Sequence, residues 1–204
     1  MSRPFRPFWA ILALWIWAIG SVPDSALAQT ISGVVRNTNG PAAETVVSLE
    51  PLSRAEPATK RDTLIIDQAH LRFEPGIVAV RRGTSVEFLN SDPIMHNVFS
   101  PGGRGAGFDL GTYVRGESRH FEFDRLGRHV ILCHVHPEMV AWVIVVDTPY
   151  FTTTDEIGHF SLDGVAPGQY RIRLWHRRWG ETVRELTVTE SENPGLNLEI
   201  GSTR

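Results

Sequence analysis

The sequence predicts an all-β protein built from sandwich-type domains. Short alternating or β-branched runs such as TISGVVR, GIVAVRRG and QYRIRLWH recur along the chain, and this period-two pattern is typical of strands with one buried face. Turn-forming clusters such as NTNGPA, NSDP and DGVAPG separate these runs at short intervals. After the first residues, no stretch has the periodicity of an amphipathic helix. Many short strands with frequent turn signals indicate sandwiches or barrels.

Residues 1–28 are expected to be a signal peptide that is removed on export. Arg3 and Arg6 form a short basic start, and an apolar run follows from Phe8 to Ile19. That run is too short to span a bilayer. Ala26-Leu27-Ala28 matches the small-x-small pattern of a cleavage site. An uncleaved anchor is the alternative, but we expect a mature protein in the periplasm without a later membrane span.

The charge of the chain argues against a nucleic-acid partner. It has 20 basic and 23 acidic residues, with a formal net charge of -3 and no basic block. Proteins that bind nucleic acids carry a basic patch or stripe, which this sequence lacks.

Composition breaks divide the remaining chain into three parts. The polar, proline-bearing segment 52–62 is interpreted as a linker. Residues 63–147 form one predicted domain, which contains the only cysteine, Cys133. Residues 29–51 before it and 150–204 after it supply the other strands.

The surroundings of Cys133 predict a metal site. An exported protein occupies an oxidising compartment, where a lone cysteine pairs between chains, reacts or is masked. Here the cysteine begins the motif C-x-x-H-x-x-M, formed with His136 and Met139, and His96 lies upstream in the turn-rich segment NSDPIMHNVF. One thiolate, two imidazoles and one thioether are the donor set of a blue copper centre. Zinc is the competing metal, but methionine is a poor zinc ligand and structural zinc sites use closed cysteine and histidine sets.

Residues 63–147 resemble the cupredoxins, the family of plastocyanin and amicyanin. FEPGIVAVRRGTSVEFLNSDPIMHNVFS is similar to the strands that lead to the family's first histidine ligand, and CHVHPEM resembles the short amicyanin-type ligand loop. The resemblance implies a Greek-key β-sandwich that binds one type 1 copper ion through His96, Cys133, His136 and Met139. It also implies that Asn97 connects the two ligand loops. His134 replaces the usual serine or threonine, so its role is left open.

The flanking segments resemble a second family. TTTDEIGHFSLDGVAPGQYRIRLWH is similar to the carboxypeptidase regulatory-like, or transthyretin-like, β-sandwich. Its glycines at 158, 164 and 168 are expected at turns. Such a sandwich normally begins with strands like those in 31–51, so we expect residues 29–51 and 150–204 to form one split sandwich around the copper domain. In the alternative, 31–51 adds edge strands to the copper domain and 150–204 stands alone.

These features predict an electron carrier and not an enzyme. A multicopper oxidase needs a His-Cys-His sequence, but Leu132 precedes Cys133. We expect single-electron transfer between periplasmic redox proteins, such as a dehydrogenase or a cytochrome. The whole arrangement resembles exported cupredoxin-type proteins of methylamine utilisation. The alternative is copper delivery or storage, which three methionines in the whole chain disfavour. Surface or structural roles are expected for the other histidines, namely His70, His120, His129, His159 and His176.

Overall fold

The computed structural model describes residues 28–53, 63–102, 107–190 and 195–201. All of the predicted signal peptide except Ala28, and most of the predicted linker, lie outside these ranges. The described residues form strands, turns and loops but no helix, which confirms the all-β prediction. No helix that could cross a membrane occurs among them.

Seventeen strands are described. In chain order they are β1 Gln29–Asn37, β2 Gly40–Pro41, β3 Val46–Pro51, β4 Thr63–Ala69, β5 Arg72–Glu74, β6 Ile77–Arg81, β7 Thr84–Asn90, β8 His96–Ser100, β9 Phe108–Tyr113, β10 Ser118–Phe123, β11 Gly127–Leu132, β12 Val140–Val146, β13 Phe151–Thr153, β14 His159–Val165, β15 Gly168–His176, β16 Gly180–Val188 and β17 Leu196–Glu199.

The strands of residues 63–147 form a sandwich of two sheets. One sheet has the order β10-β7-β4-β5 and the other β6-β12-β11-β8-β9. Buried and less buried positions alternate along the strands, as in β7, where Thr84, Val86, Phe88 and Asn90 are buried. Val86 and Phe88 share one core with Ile131 of β11 and Val143 of β12. Burial of these alternating side chains fixes the strand register, since a one-residue slip would expose them.

A second sandwich is formed by strands that precede and follow the first. In one of its sheets β1 lies between β14 and β17, and in the other β3 lies between β13 and β15. Val35 and Leu49, from before residue 63, share a core with Phe160 and Leu174, from after residue 150. The two chain segments therefore supply central strands to common sheets.

The two sandwiches meet across β12. Ala141, Val143 and Val145 on one face of this strand belong to the core of the first sandwich. Trp142, Ile144 and Val146 on the other face pack with side chains of the second sandwich, including Val46 and Trp175. This explains the unbroken apolar run VAWVIVV, because a strand that is covered on both faces has no polar side.

One glycine prediction was wrong. Gly164 lies inside β14 and not at a turn. Between the pairs Gln29↔Val165 and Ile31↔Leu162, β14 has one more residue than β1. Gly164 has a φ of 73°, the left-handed conformation that suits glycine at such a bulge.

Candidate metal centre

Sheet pairing brings the two predicted ligand segments to one end of the first sandwich. β8 begins at His96, and β11 ends at Leu132, directly before Cys133. These strands are neighbours, with Leu132 opposite Phe99. The loop from Cys133 to Met139 then turns the chain into β12.

The donor atoms of His96, Cys133 and His136 converge. They all lie within 4.8 Å of one another, and among the described residues no other group of three His, Cys, Asp or Glu side chains is placed to share a metal ion. The Nδ1 atoms of His96 and His136 are 3.0 Å apart. His96 is 0% exposed and Cys133 3%, whereas His136 is only half-buried. The cluster is thus closed on the protein side and reaches the surface at His136.

Met139 closes the ligand loop. Its backbone N–H donates to the carbonyl of His136 at 3.0 Å, which makes the tight turn before β12. Its side chain is 1% exposed and lies in the same core cluster as Cys133. This burial is compatible with an axial ligand, and coordination by the thioether stays a prediction.

A carboxylate binds the ring nitrogen of His96 that is directed away from Cys133 and His136. Asp92 Oδ2 lies 2.8 Å from His96 Nε2. Because a carboxylate only accepts hydrogen bonds, Nε2 carries the proton, and Nδ1 keeps a free lone pair towards Cys133 and His136. Burial alone would raise the pKa of Asp92, but hydrogen bonds from Leu71 N–H, His96 and His70 N–H bring that pKa below its ordinary value. Asp92 is therefore an ionised support for a ligand ring.

Asn97 connects the two ligand loops. Its N–H donates to Cys133 Sγ at 3.4 Å, and its side-chain oxygen accepts the N–H of His134 at 3.3 Å. Its amide nitrogen donates to Asp109 Oδ1 at 2.7 Å. The N–H of Gly111 and the amide of Asn97 hold the pKa of Asp109 below its usual range. An ionised Asp109 thereby fixes the residue whose N–H points at the sulfur.

His134 points away from the donor cluster. Its ring stacks on Phe99 with centroids 3.6 Å apart and faces Asp109, with Nε2 and Oδ2 separated by 3.5 Å. The side chain is more than half exposed. His134 is therefore not part of the donor group, although it follows Cys133 directly in the chain.

The remaining histidines lie outside the donor cluster. His129 Nε2 lies 2.9 Å from the carbonyl of Arg125, and the buried His176 accepts the N–H of Arg178. The side chain of His70 is 86% exposed.

The sequence interpretation missed Asp92 and Asp109. Asp92 lies four residues before His96 in a segment whose Ser, Asp and Pro looked only like turn formers. The requirement that a ligand histidine bind a partner through its second nitrogen could have pointed to Asp92. The role of Asp109 could be recognised only from the β8–β9 pairing, which places Asn97 opposite Thr112.

The donor cluster fits a small, thiophilic metal ion. The 3.0 Å separation of the two Nδ1 atoms leaves room for one ion bound at about 2 Å from each. A buried thiol with two imidazoles suits copper or zinc, and a thioether as a fourth donor would favour copper. Copper bound there would be held by His96, Cys133 and His136, with Met139 as the available fourth donor.

Comparisons with known proteins give structural likeness over about half the chain. No family model and no curated protein matches the sequence. The structure is similar to the Cu-containing nitrite reductase NirK from Thermus scotoductus SA-01, with 22% identity and a TM-score of 0.40, covering 48% of this chain and 25% of that one. It is also similar to a point mutant of amicyanin in its reduced Cu(I) form at pH 4, with 21% identity and a TM-score of 0.40, covering 49% of this chain and 98% of that one. A second amicyanin mutant, also with Cu(I), matches at 20% identity and a TM-score of 0.40, again covering 49% and 98%.

Proposed function

We propose that this protein is a periplasmic blue copper protein that transfers single electrons between redox partners. The observation that carries the proposal is the convergence of His96, Cys133 and His136 within 4.8 Å at one end of a β-sandwich. Copper bound by this donor set would supply the Cu(I)/Cu(II) couple. The ligand set, the single type 1 copper and the role of Met139 as axial ligand are parts of the proposal.

The protein's own residues favour electron transfer over exchange of the metal. His96 is completely buried, and Asp92 and Asn97 fix its ring and the cysteine sulfur through hydrogen bonds. A rigid donor set that changes little between oxidation states keeps the reorganisation small, as electron transfer requires. A delivery protein would need exposed ligands that an acceptor can reach.

His136 is the proposed electron port, because it is the one member of the cluster that reaches the surface. Exposed apolar side chains occur on the segments around it. They are Ile94, Met95, Val114, Val135 and Val140. Such a surface can exclude water when a redox partner, a dehydrogenase or a cytochrome, docks over the imidazole edge. The involvement of methylamine metabolism is a narrower form of the same proposal and is tested by the identity of that partner.

The experiment is reconstitution of residues 29–204 with Cu(II), followed by visible and electron paramagnetic resonance spectroscopy. We expect intense thiolate-to-copper charge transfer that disappears on reduction and returns on oxidation. Cys133→Ser should abolish the band while circular dichroism keeps the β signature. Thr148→Ser, a buried hydroxyl far from the loop, serves as the control. A colourless copper-loaded protein would overturn the proposal, and rapid loss of copper to a chelator in both oxidation states would favour delivery.

A further inference from the structure

The turn between β4 and β5 has an unusual backbone. His70 and Leu71 are the two loop residues of this hairpin, between the paired Ala69 and Arg72. Their φ angles are 55° and 60°, so both are left-handed. Two successive left-handed residues form the type I′ turn, which prefers sequences such as Asn-Gly. A leucine at such a position is strained, and persists only where the surrounding structure holds it there.

Asp92 holds this turn. Its Oδ1 accepts the N–H of His70 at 2.7 Å, and its Oδ2 accepts the N–H of Leu71 at 2.9 Å. Two successive left-handed residues direct both N–H groups to one carboxylate. Asp92 is itself fixed, because its own N–H donates to Asn90 Oδ1 and lies 3.1 Å from the carbonyl of Gln68.

The same carboxylate contacts a member of the donor cluster. Oδ2, which accepts Leu71 N–H, is also the atom 2.8 Å from His96 Nε2. Asp92 is 7% exposed, so water does not readily replace any of these three donors. The turn and the ligand ring are therefore linked through one buried side chain.

We propose that the His70–Leu71 turn and Asp92 act together as a positioning device for His96. The left-handed turn places two backbone N–H groups that orient the carboxylate, and the carboxylate sets the rotamer and tautomer of His96. Nδ1 of His96 then faces Cys133 and His136 before any metal binds. The consequence for copper rests on the proposed function, whereas the state of His96 in the metal-free protein does not.

The direct test is the tautomer of His96 in metal-free protein, read from the imidazole ¹⁵N chemical shifts. The wild type should show the Nε2–H form, with slow hydrogen exchange at the amides of His70 and Leu71. Asp92→Asn should mix the tautomers and expose both amides to exchange. It should also weaken Cu(I) binding by about 10- to 100-fold, measured against a chromophoric chelator. An unchanged tautomer and unchanged protection in Asp92→Asn would overturn the proposal.

Asp155→Asn is the matched control. Asp155 also accepts N–H groups in a turn, those of Ile157 and His159, but it lies in the second sandwich. We expect it to leave the His96 tautomer and the Cu(I) affinity unchanged. An equal loss of affinity in this variant would show that the effect of Asp92→Asn is general destabilisation. That result would contradict the proposed positioning of His96.

Two turn variants separate the backbone from the side chains while Asp92 stays intact. His70→Asn combined with Leu71→Gly supplies the preferred type I′ sequence and should keep both the tautomer and the affinity. Insertion of one glycine between His70 and Leu71 should move the N–H groups away from Asp92 and lower the affinity. Full affinity in the insertion variant, or a loss in the Asn-Gly variant, would contradict the role of the turn. Absence of the blue band in wild-type protein would refute copper function but leave the tautomer result standing.

Discussion

Trp142 and Trp175 pack against each other across the boundary between the two sandwiches, with ring centroids 5.3 Å apart. Trp142 lies on β12, three residues after Met139, and Trp175 lies on β15. Trp175 is buried and belongs to a cluster that draws side chains from both sandwiches. The strand that leaves the ligand loop is therefore packed against the second sandwich.

Trp175→Ala should uncouple the two sandwiches. Removal of a buried tryptophan costs about 3–5 kcal/mol, and here the lost contacts are those between the sandwiches. Calorimetry should show one cooperative transition in the wild type and two in the variant. Leu162→Ala provides the comparison, because Leu162 lies inside the second core. That variant should lower stability without separating the transitions, and a single transition in Trp175→Ala would show that the interface does not couple the sandwiches.

Residues 29–51 should be indispensable to the second sandwich. Deletion removes β1 and β3, the strands that lie between β14 and β17 and between β13 and β15. The hairpin of β15 and β16 would retain its pairing, but a two-stranded hairpin is at best marginally stable alone. We expect residues 148–204 expressed alone to be unfolded by NMR, while the fragment 63–147 still folds. A cooperative unfolding transition of the isolated 148–204 fragment would reject the split sandwich.

His176 should make the stability of the metal-free protein fall in mild acid. Burial, together with the charge of Arg177, lowers the pKa of His176 below its ordinary 6.5. Its ring stacks on Trp179, and its Nδ1 accepts the N–H of Arg178. The unfolded chain therefore binds a proton more readily than the folded one. This contribution to stability is complete above pH 6.5 and is lost as the pH falls through the lower folded pKa, at no more than about 1.4 kcal/mol per pH unit.

Urea unfolding at pH 7.5 and pH 5.5 measures this dependence. His176→Asn keeps an acceptor for Arg178 N–H but does not titrate, so its free energy of unfolding should change less between the two pH values. His159→Asn, at a half-exposed histidine, should behave as the wild type does. Equal pH dependence in wild type and His176→Asn would contradict the assignment.

The sequence was sufficient to predict the strands from their local pattern, and the convergence of His96, Cys133 and His136 from residue type and spacing. Cys133 and His136 are neighbours in the chain, and His96 was recognisable by its type and its turn-rich segment. Coordination by Met139 stays a prediction. The supports behind them were only partly accessible from the sequence. Asp92 is close to His96 in the chain, but its hydrogen bonds to the β4–β5 turn needed the structure, and so did the pairing of β9 with β8 that places Asp109.

The contacts of β12 on the face away from the first sandwich could not be predicted from the sequence either. The run VAWVIVV indicates a strand buried on both faces, but Trp142 and Ile144 do not specify what covers them. The covering surface includes Val46 and Trp175, more than a hundred residues apart in sequence. Only the three-dimensional pairing of β3 with β15 brings these two side chains together.

Met139→Gln should change the reduction potential of the proposed copper site without loss of the copper. A thioether is a weak axial donor, and its soft sulfur favours Cu(I) over Cu(II). Glutamine offers a harder oxygen donor, so copper should remain bound through His96, Cys133 and His136 while the reduction potential falls. Voltammetry measures the potential, and the blue absorption reports that the thiolate bond is retained.

Met95→Gln is the matched control, because Met95 is next to His96 but is 55% exposed. Its substitution should leave the potential nearly unchanged. His136→Ala should impair copper binding and electron transfer more than Met139→Gln does, because it removes a ligand and the half-buried ring proposed as the electron port. If Met139→Gln leaves the potential unchanged, the thioether is only packing in the core it shares with Cys133. The axial position would then pass to another group at this end of the sandwich, such as the backbone carbonyl of Met95.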